Sequence, residues 1–203
     1  MAQPPKEPIV AGLLLAAGGG RRLGGRPKAL LTHRGRPLVE HAVRVLREGG
    51  CGPVHVVLGA AADRVRKEAD LSGCVLVDNP DWEEGMGSSL RAGLKSLALA
   101  ATAADAALVS LVDQPGIGAA AVARIRAAYR SRDSLAAAAY GGERGHPVLF
   151  GAHRWTDIAA SAVGDRGARA YLKEHEASLA LVECGDIAEA YDIDTEQDLA
   201  HLE

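Results

Sequence analysis

Ile9-Val10-Ala11-Gly12-Leu13-Leu14-Leu15-Ala16-Ala17-Gly18-Gly19-Gly20-Arg21-Arg22-Leu23-Gly24-Gly25-Arg26-Pro27-Lys28 is an apolar run that ends in a glycine-rich, cationic loop. The run at residues 9–15 carries no polar side chain, as a strand covered on both faces requires. Backbone dense in glycine can turn its N–H groups toward an anion, and Arg21, Arg22, Arg26 and Lys28 add positive charge. The stretch reads as the first strand of an α/β sheet feeding a polyphosphate loop; a solvated surface turn is the alternative. Two familiar glycine templates fail. Counting from Gly18 and Gly20, a dinucleotide fingerprint needs glycine where Leu23 stands. A Walker loop needs Gly-Lys-Ser/Thr, yet Gly24 is followed by Gly25-Arg26 and Gly25 by Arg26-Pro27.

Outward from this loop, apolar runs at 54–58, 75–77 and 106–112 alternate with helical patterns at 38–48, 60–69, 88–100 and 118–131. Such alternation predicts right-handed crossovers on both faces of a parallel sheet. The fold class is therefore α/β: a single doubly wound domain over residues 9–203, its sheet mostly parallel. After Ser134 the rhythm changes. Runs at 135–140 and 147–150 flank Gly141-Gly142-Glu143-Arg144-Gly145-His146, which predicts a hairpin or small antiparallel insertion. Helical patterns at 153–161 and 168–175, a strand at 179–184 and a last helix from Thr195 follow. Thr195 and Asp198 have the spacing of a capping box. Residues 1–8, polar and proline-rich, are expected to fray as a disordered tail.

Composition removes several classes. A chain of 203 residues with 48% hydrophobic content can bury a sizeable core. A net charge of -3, with arginines scattered outside the first loop, gives no electrostatic case for nucleic acid. Aromatic content of 3% offers no stacking platform for single strands. No run approaches the roughly 18 apolar residues of a membrane span. Cys51, Cys74 and Cys184 are odd in number and lack metal-ligand spacing, which reads as free thiols in a reducing cytoplasm.

Five further constellations offer chemistry. Asp113, in Val112-Asp113-Gln114-Pro115, ends a central strand, where ligands of open α/β sheets gather. It serves either as a ligand for a hard cation such as Mg²⁺ or as a turn cap. Asp192-Ile193-Asp194-Thr195 supplies two carboxylates that share a face if the stretch is extended, with Ile193 turned to the core. Helix capping and metal binding both suit them. The stretch from Asp78-Asn79-Pro80 through Gly85 to Ser88-Ser89 and Gly93-Leu94 is a loop feeding a helix. There, glycines permit close approach and serines cap the helix or bond a base or ribose. Arg144-Gly145-His146-Pro147 and Gly164-Asp165-Arg166-Gly167-Ala168-Arg169 place cations where an anion could bind, or merely at solvated ends. His146 either donates to a phosphate, acts as an acid, or is simply exposed.

In this order, from the loop at 15–28 to Asp192-Ile193-Asp194-Thr195, the motifs resemble those of the MobA-like nucleotidyltransferases. The resemblance is strongest to the molybdenum cofactor cytidylyltransferase branch. It covers nearly the whole chain and departs at Gly20 and Leu23, where the family often has Ser and Met. It implies a Rossmann-like fold that transfers NMP, CMP from CTP in this branch, to the phosphate of molybdenum cofactor and releases pyrophosphate. By matching positions, Leu15, Ala16, Ala17, Gly18, Gly19, Gly20, Arg22, Lys28, Asn79, Gly85 and Ser89 would hold the nucleotide. Lys28, Asp113 and Arg22 would carry catalysis, with Lys28 facing charge at the α-phosphate. Asp113 and Asp194 would hold Mg²⁺, and His146 and Arg169 would face the acceptor. Docking to a molybdoenzyme is a further partner the resemblance admits. GTP, or another phosphorylated acceptor, is the alternative within enzymes; a non-catalytic nucleotide-binding chaperone is the alternative outside them.

Overall fold

In the computed structural model, which describes residues 6–202, the opening apolar run becomes β1 (Val10–Leu15), buried along its whole length. Its residues divide between two cores. Val10 and Leu14 face one, while Ala11, Leu13 and Leu15 face the other. Fully burying a leucine stabilises by roughly 2 kcal/mol, so Leu13 and Leu14 alone make this strand a strong organiser.

Two very short strands, β2 (Thr32–His33) and β3 (Arg36–Pro37), form a separate antiparallel hairpin. Its turn residues Arg34 and Gly35 both have positive φ, as the twist of a two-residue hairpin demands. The main sheet continues with β4 (Val54–Leu58), β5 (Val75–Asp78), β6 (Ala106–Leu111), β7 (Leu135–Tyr140), β8 (Glu143–Gly151) and β9 (Leu179–Glu183). Strand order is β5-β4-β1-β6-β8-β7-β9, and only β8 runs against the rest.

Helices α1 (Leu38–Glu48), α2 (Ala62–Glu68) and α4 (Ala119–Arg126) cover one face through residues such as Val43, Val65 and Ile125. Helices α3 (Met86–Ala98), α5 (Trp155–Ser161) and α6 (Arg169–Glu174) cover the other through Leu94, Ile158 and Leu172. The fold is thus doubly wound α/β, as the sequence predicts. No helix among the described residues is long and apolar enough to cross a membrane. Cys51 and Cys184 are buried, Cys74 is half-buried, and all three are free thiols.

The 135–150 hairpin is antiparallel, as expected, and is built into the main sheet, with β8 between β6 and β7. Two expectations change. The glycine pair at 141–142 makes the whole turn, so Glu143 to His146 belong to a strand rather than to a loop. The last helix is only a 3-10 segment, Gln197–Leu202. Its cap is nonetheless real, since Asp198 Oδ2 accepts from Thr195 N–H at 2.7 Å and Thr195 Oγ1 at 2.8 Å. Of the expected fraying tail, residues 1–5 lie outside the described residues, while Glu7 meets Arg126 at 3.3 Å.

Candidate active site

The chain leaves β1 in one direction for β4 and β5, then returns to place β6 on the opposite side of β1. Such a reversal opens a crevice beyond the carboxyl ends of the two strands. Leu15 is paired with Leu111, so the glycine loop and the Val112–Pro115 turn leave the sheet side by side. Two adjoining pockets occupy this crevice. One of about 330 Å³ lies between the glycine loop and the start of α3. The other, about 1320 Å³, extends over β7, β8, β9 and α6. Gly18, Lys28 and Asp113 line both.

At their junction Lys28 Nζ donates to Asp113 Oδ2 at 2.6 Å and to Asp194 Oδ1 at 2.5 Å. Local structure explains the convergence. Ile193 is fully buried, which turns Asp192 and Asp194 outward, and its N–H donates to the Asp113 carbonyl at 2.9 Å. Asp192 leaves the cluster and accepts from Gln114 Nε2 at 2.7 Å. Burial alone would lower the Lys28 pKa, but Asp113 and Asp194 reverse this and raise it, so the ammonium persists. Burial pushes the Asp113 carboxyl above the usual carboxylate range, against the pull of Lys28.

These carboxylates fit a divalent cation on one observation: two of them from distant segments already converge on a single positive centre. Among the described residues no group of three or more His, Cys, Asp or Glu gathers into a metal cage. The donor set therefore suits a hard cation that takes its remaining oxygens from phosphate and water.

The glycine loop divides its labour. Gly18 and Gly19 line the smaller pocket, with Leu15 and Ala17 at its floor. Gly20 instead closes the loop: its φ is 61°, and an added Cβ would sit 2.0 Å from the Arg26 carbonyl oxygen. Neither Gly20 nor the buried Ala16 lines a pocket. Arg21 lines the smaller pocket and Arg22 the larger.

Asn79 is corrected as a nucleotide contact. It is buried, its Nδ2 donates to Ser88 Oγ at 2.9 Å and Ser89 Oγ at 3.0 Å, and its Oδ1 accepts from Asp81 N–H. With both ends of the amide committed, it braces the loop. The serines do not cap the helix either, because α3 begins earlier, at Met86. Ser89 still lines the smaller pocket, beside Gly85.

At the far end of the larger pocket stand His146 and Arg169, with Arg144 and Arg166. Burial, then Arg169 and Arg144, push the His146 pKa down to about 4. Neutral near pH 7, the imidazole keeps one N–H donor and one acceptor nitrogen. Among the described residues Arg22, Arg144, Arg166 and Arg169 meet no carboxylate, unlike Arg91, Arg124 and Arg132.

Trp82 and Asp165 are among the pocket residues to which the sequence reading gave no role. Asp165 Oδ1 lies so near Gly85 that a Cβ there would meet it at 2.3 Å, and Gly85 has φ 109°. That pairing, across 80 positions, leaves no local signal.

Comparison with known proteins matches this architecture. A family model described as the MobA-like NTP transferase domain matches residues 12–179. Nicotine blue oxidoreductase of Paenarthrobacter nicotinovorans is 41% identical over 202 residues, covering 96% of this chain and 97% of its own. Molybdenum cofactor guanylyltransferase of Cereibacter sphaeroides is 34% identical over 172 residues, 83% of each chain. The manganese complex of Rv0371c from Mycobacterium tuberculosis superposes with a TM-score of 0.77 at 26% identity, covering 96% of this chain and 97% of that one. With the family model spanning most of the chain and the glycine loop and aspartates gathered at the switch point, the chain belongs to the MobA-like NTP transferase family and is a nucleotidyltransferase.

Proposed function

We propose that the protein is a Mg²⁺-dependent nucleotidyltransferase, acting as one unit over residues 9–203, that transfers CMP from CTP to the terminal phosphate of a molybdopterin-type molybdenum cofactor. The observation that carries this is the Lys28–Asp113–Asp194 cluster at the junction of the two pockets. An oxygen of the acceptor phosphate attacks the α-phosphorus, the α–β phosphoanhydride bond breaks, and pyrophosphate leaves with the bond's electrons. Such transfer asks mainly for positioning and charge neutralisation. Gly18 and Gly19 offer backbone to the triphosphate, and Arg22 and Lys28 offer charge. Lys28 exchanges carboxylate partners for phosphate oxygens as the nucleotide enters. Asp113 and Asp194 would hold Mg²⁺, which when bound neutralises triphosphate oxygens. Arg144, Arg166 and Arg169 hold the acceptor's phosphate, with neutral His146 beside them. Relatives named for molybdenum cofactor support this acceptor, and docking to a molybdoenzyme would let the product pass directly to its user.

Each of the four NTPs is incubated with Mg²⁺ and pyrophosphate is followed with and without molybdenum cofactor. Cofactor-dependent release from CTP is expected. Release from GTP alone would move the protein to the guanylyl reaction, and silence with every NTP in folded protein would overturn the proposal. The 41% identity with a protein named an oxidoreductase supports a second reading, in which this cleft serves a redox reaction. None of the three cysteines lines either pocket, so electrons would have to come from a bound reductant. Loss of NADH or NADPH absorbance with nicotine blue, absent any pyrophosphate release, would favour that reading.

A further inference from the structure

We propose that Trp82 is the base-facing wall of the smaller pocket, against which the nucleobase of a bound nucleotide lies. This rests on the nucleotidyltransferase reading, since it needs a nucleotide in the cleft. Trp82 opens a 3-10 turn, Trp82–Glu84, between β5 and α3, and lines the pocket beside Gly18, Met86 and Ser89.

Two glycines remote in sequence hold the indole from behind. A Cβ added at Gly59 would lie 2.5 Å from Trp82 Cβ and 2.7 Å from its Cγ. One added at Gly19 would lie 3.1 Å from both Cζ3 and Cη2. The loops after β4 and β1 thus both present bare backbone so that one flat side chain can lie against them. Gly59 has a negative φ, so its glycine is explained by this contact and not by backbone freedom.

The other tryptophan gives the contrast. Trp155 is 7% exposed, and its Nε1–H donates to the Phe150 carbonyl at 2.9 Å. Trp82 is only half-buried, and among the described residues its Nε1–H has no hydrogen-bond partner. Trp82 therefore brings a rigid apolar plate and a free donor to a pocket that the glycine loop also lines. A planar heterocycle with carbonyl acceptors, attached through a sugar to phosphates, matches that combination. Base–aromatic stacking tolerates any base, so Trp82 sets affinity for a nucleoside more than the choice of base.

The test uses the full chain as wild type, Trp82→Leu and Trp82→Phe. Calorimetry with Mg²⁺ compares CTP and GTP with inorganic tripolyphosphate, which has phosphates and no base. Tryptophan fluorescence is read in parallel. Trp82→Leu is expected to weaken the NTP about tenfold or more and to leave tripolyphosphate unchanged, with Trp82→Phe close to wild type. The NTP, but not tripolyphosphate, should change emission in the wild type, and that change should vanish in Trp82→Leu although Trp155 still emits. Equal NTP affinity in wild type and Trp82→Leu would overturn the proposal, as would equal losses of NTP and tripolyphosphate in both variants. A folded wild type that binds no NTP at all would instead overturn the nucleotidyltransferase reading beneath it.

Discussion

Where the sheet is parallel, around β1 and β6, the central cation is met by opposite charge; on the reversed strand β8 and at the entry to α6, Arg144, Arg166 and Arg169 stand without a carboxylate partner among the described residues. Lys28 has a side chain only 15% exposed, and it holds both Asp113 and Asp194. Arg144, Arg166 and Arg169 are exposed and hold neither. Burial accounts for the difference. A charge taken out of water must be paired, because an isolated buried ion costs several kcal/mol, whereas an exposed guanidinium keeps its hydration. One half is paired, with one carboxylate in excess, and waits to be opened; the other stands open to an anion. A reaction that joins a nucleotide to a phosphorylated acceptor uses both conditions.

Substituting Lys28 tests the paired half most severely. Lys28→Ala is expected to lower turnover by about a hundredfold or more, by removing the cation from the α-phosphate. It should also destabilise the free protein by about 2 kcal/mol, since Asp113 and Asp194 then face each other without a cation. Steady-state kinetics and urea unfolding check the two effects. Unchanged turnover would remove Lys28 from the chemistry and erase the contrast between the halves.

The open half should respond differently. Arg169→Ala is expected to raise the acceptor KM about tenfold while the nucleotide KM stays within a factor of about two. A parallel rise in both would mean that the larger pocket is not divided as the charges indicate.

The sheet was legible because unbroken apolar runs and the 3.6-residue periodicity of the helices between them are local properties. The spans of α1, β4 and β7 agree with the sequence reading at both ends, and the remaining main elements differ by a few residues. What escaped was whatever depended on distant neighbours. The place of β8 inside the main sheet follows from pairing with β6 across about forty residues, and nothing within the hairpin encodes it. Asp113 was legible from its strand end, Lys28 from its glycine loop and Asp194 from the stretch before the last helix, and the structure brings them to one point. Trp82 was not, because the glycines that receive it lie at positions 19 and 59. Asn79 shows the opposite error: a polar residue in a motif reads as a ligand contact when its burial is invisible. Asn79→Ala is accordingly expected to cost about 1–3 kcal/mol by leaving the Ser88 and Ser89 hydroxyls short of a donor. That is a fall of roughly 2–4 °C in Tm per kcal/mol for a chain of this size, read by thermal unfolding. A Tm within about 1 °C of wild type, with nucleotide binding lost, would return Asn79 to the ligand.

The last effect reports on the open half. His146 is held near pKa 4 by burial and by the push of Arg169 and Arg144. The unfolded chain takes up this proton as pH falls below about 6.5, while the folded chain refuses it until about 4. The contribution to stability is therefore complete above about 6.5 and is lost as pH falls toward 4, at no more than ~1.4 kcal/mol per pH unit. His146→Asn should remove that slope, as unfolding at pH 7 and pH 5 would reveal. In the wild type, the C2 proton resonance of His146 should titrate near 4 and not near 6.5. An anion seated between Arg144 and Arg169 would cancel their push and raise the midpoint, so the same titration in inorganic phosphate reads occupancy of the open half directly. A midpoint that does not move in saturating phosphate would mean that these arginines do not hold the acceptor's phosphate.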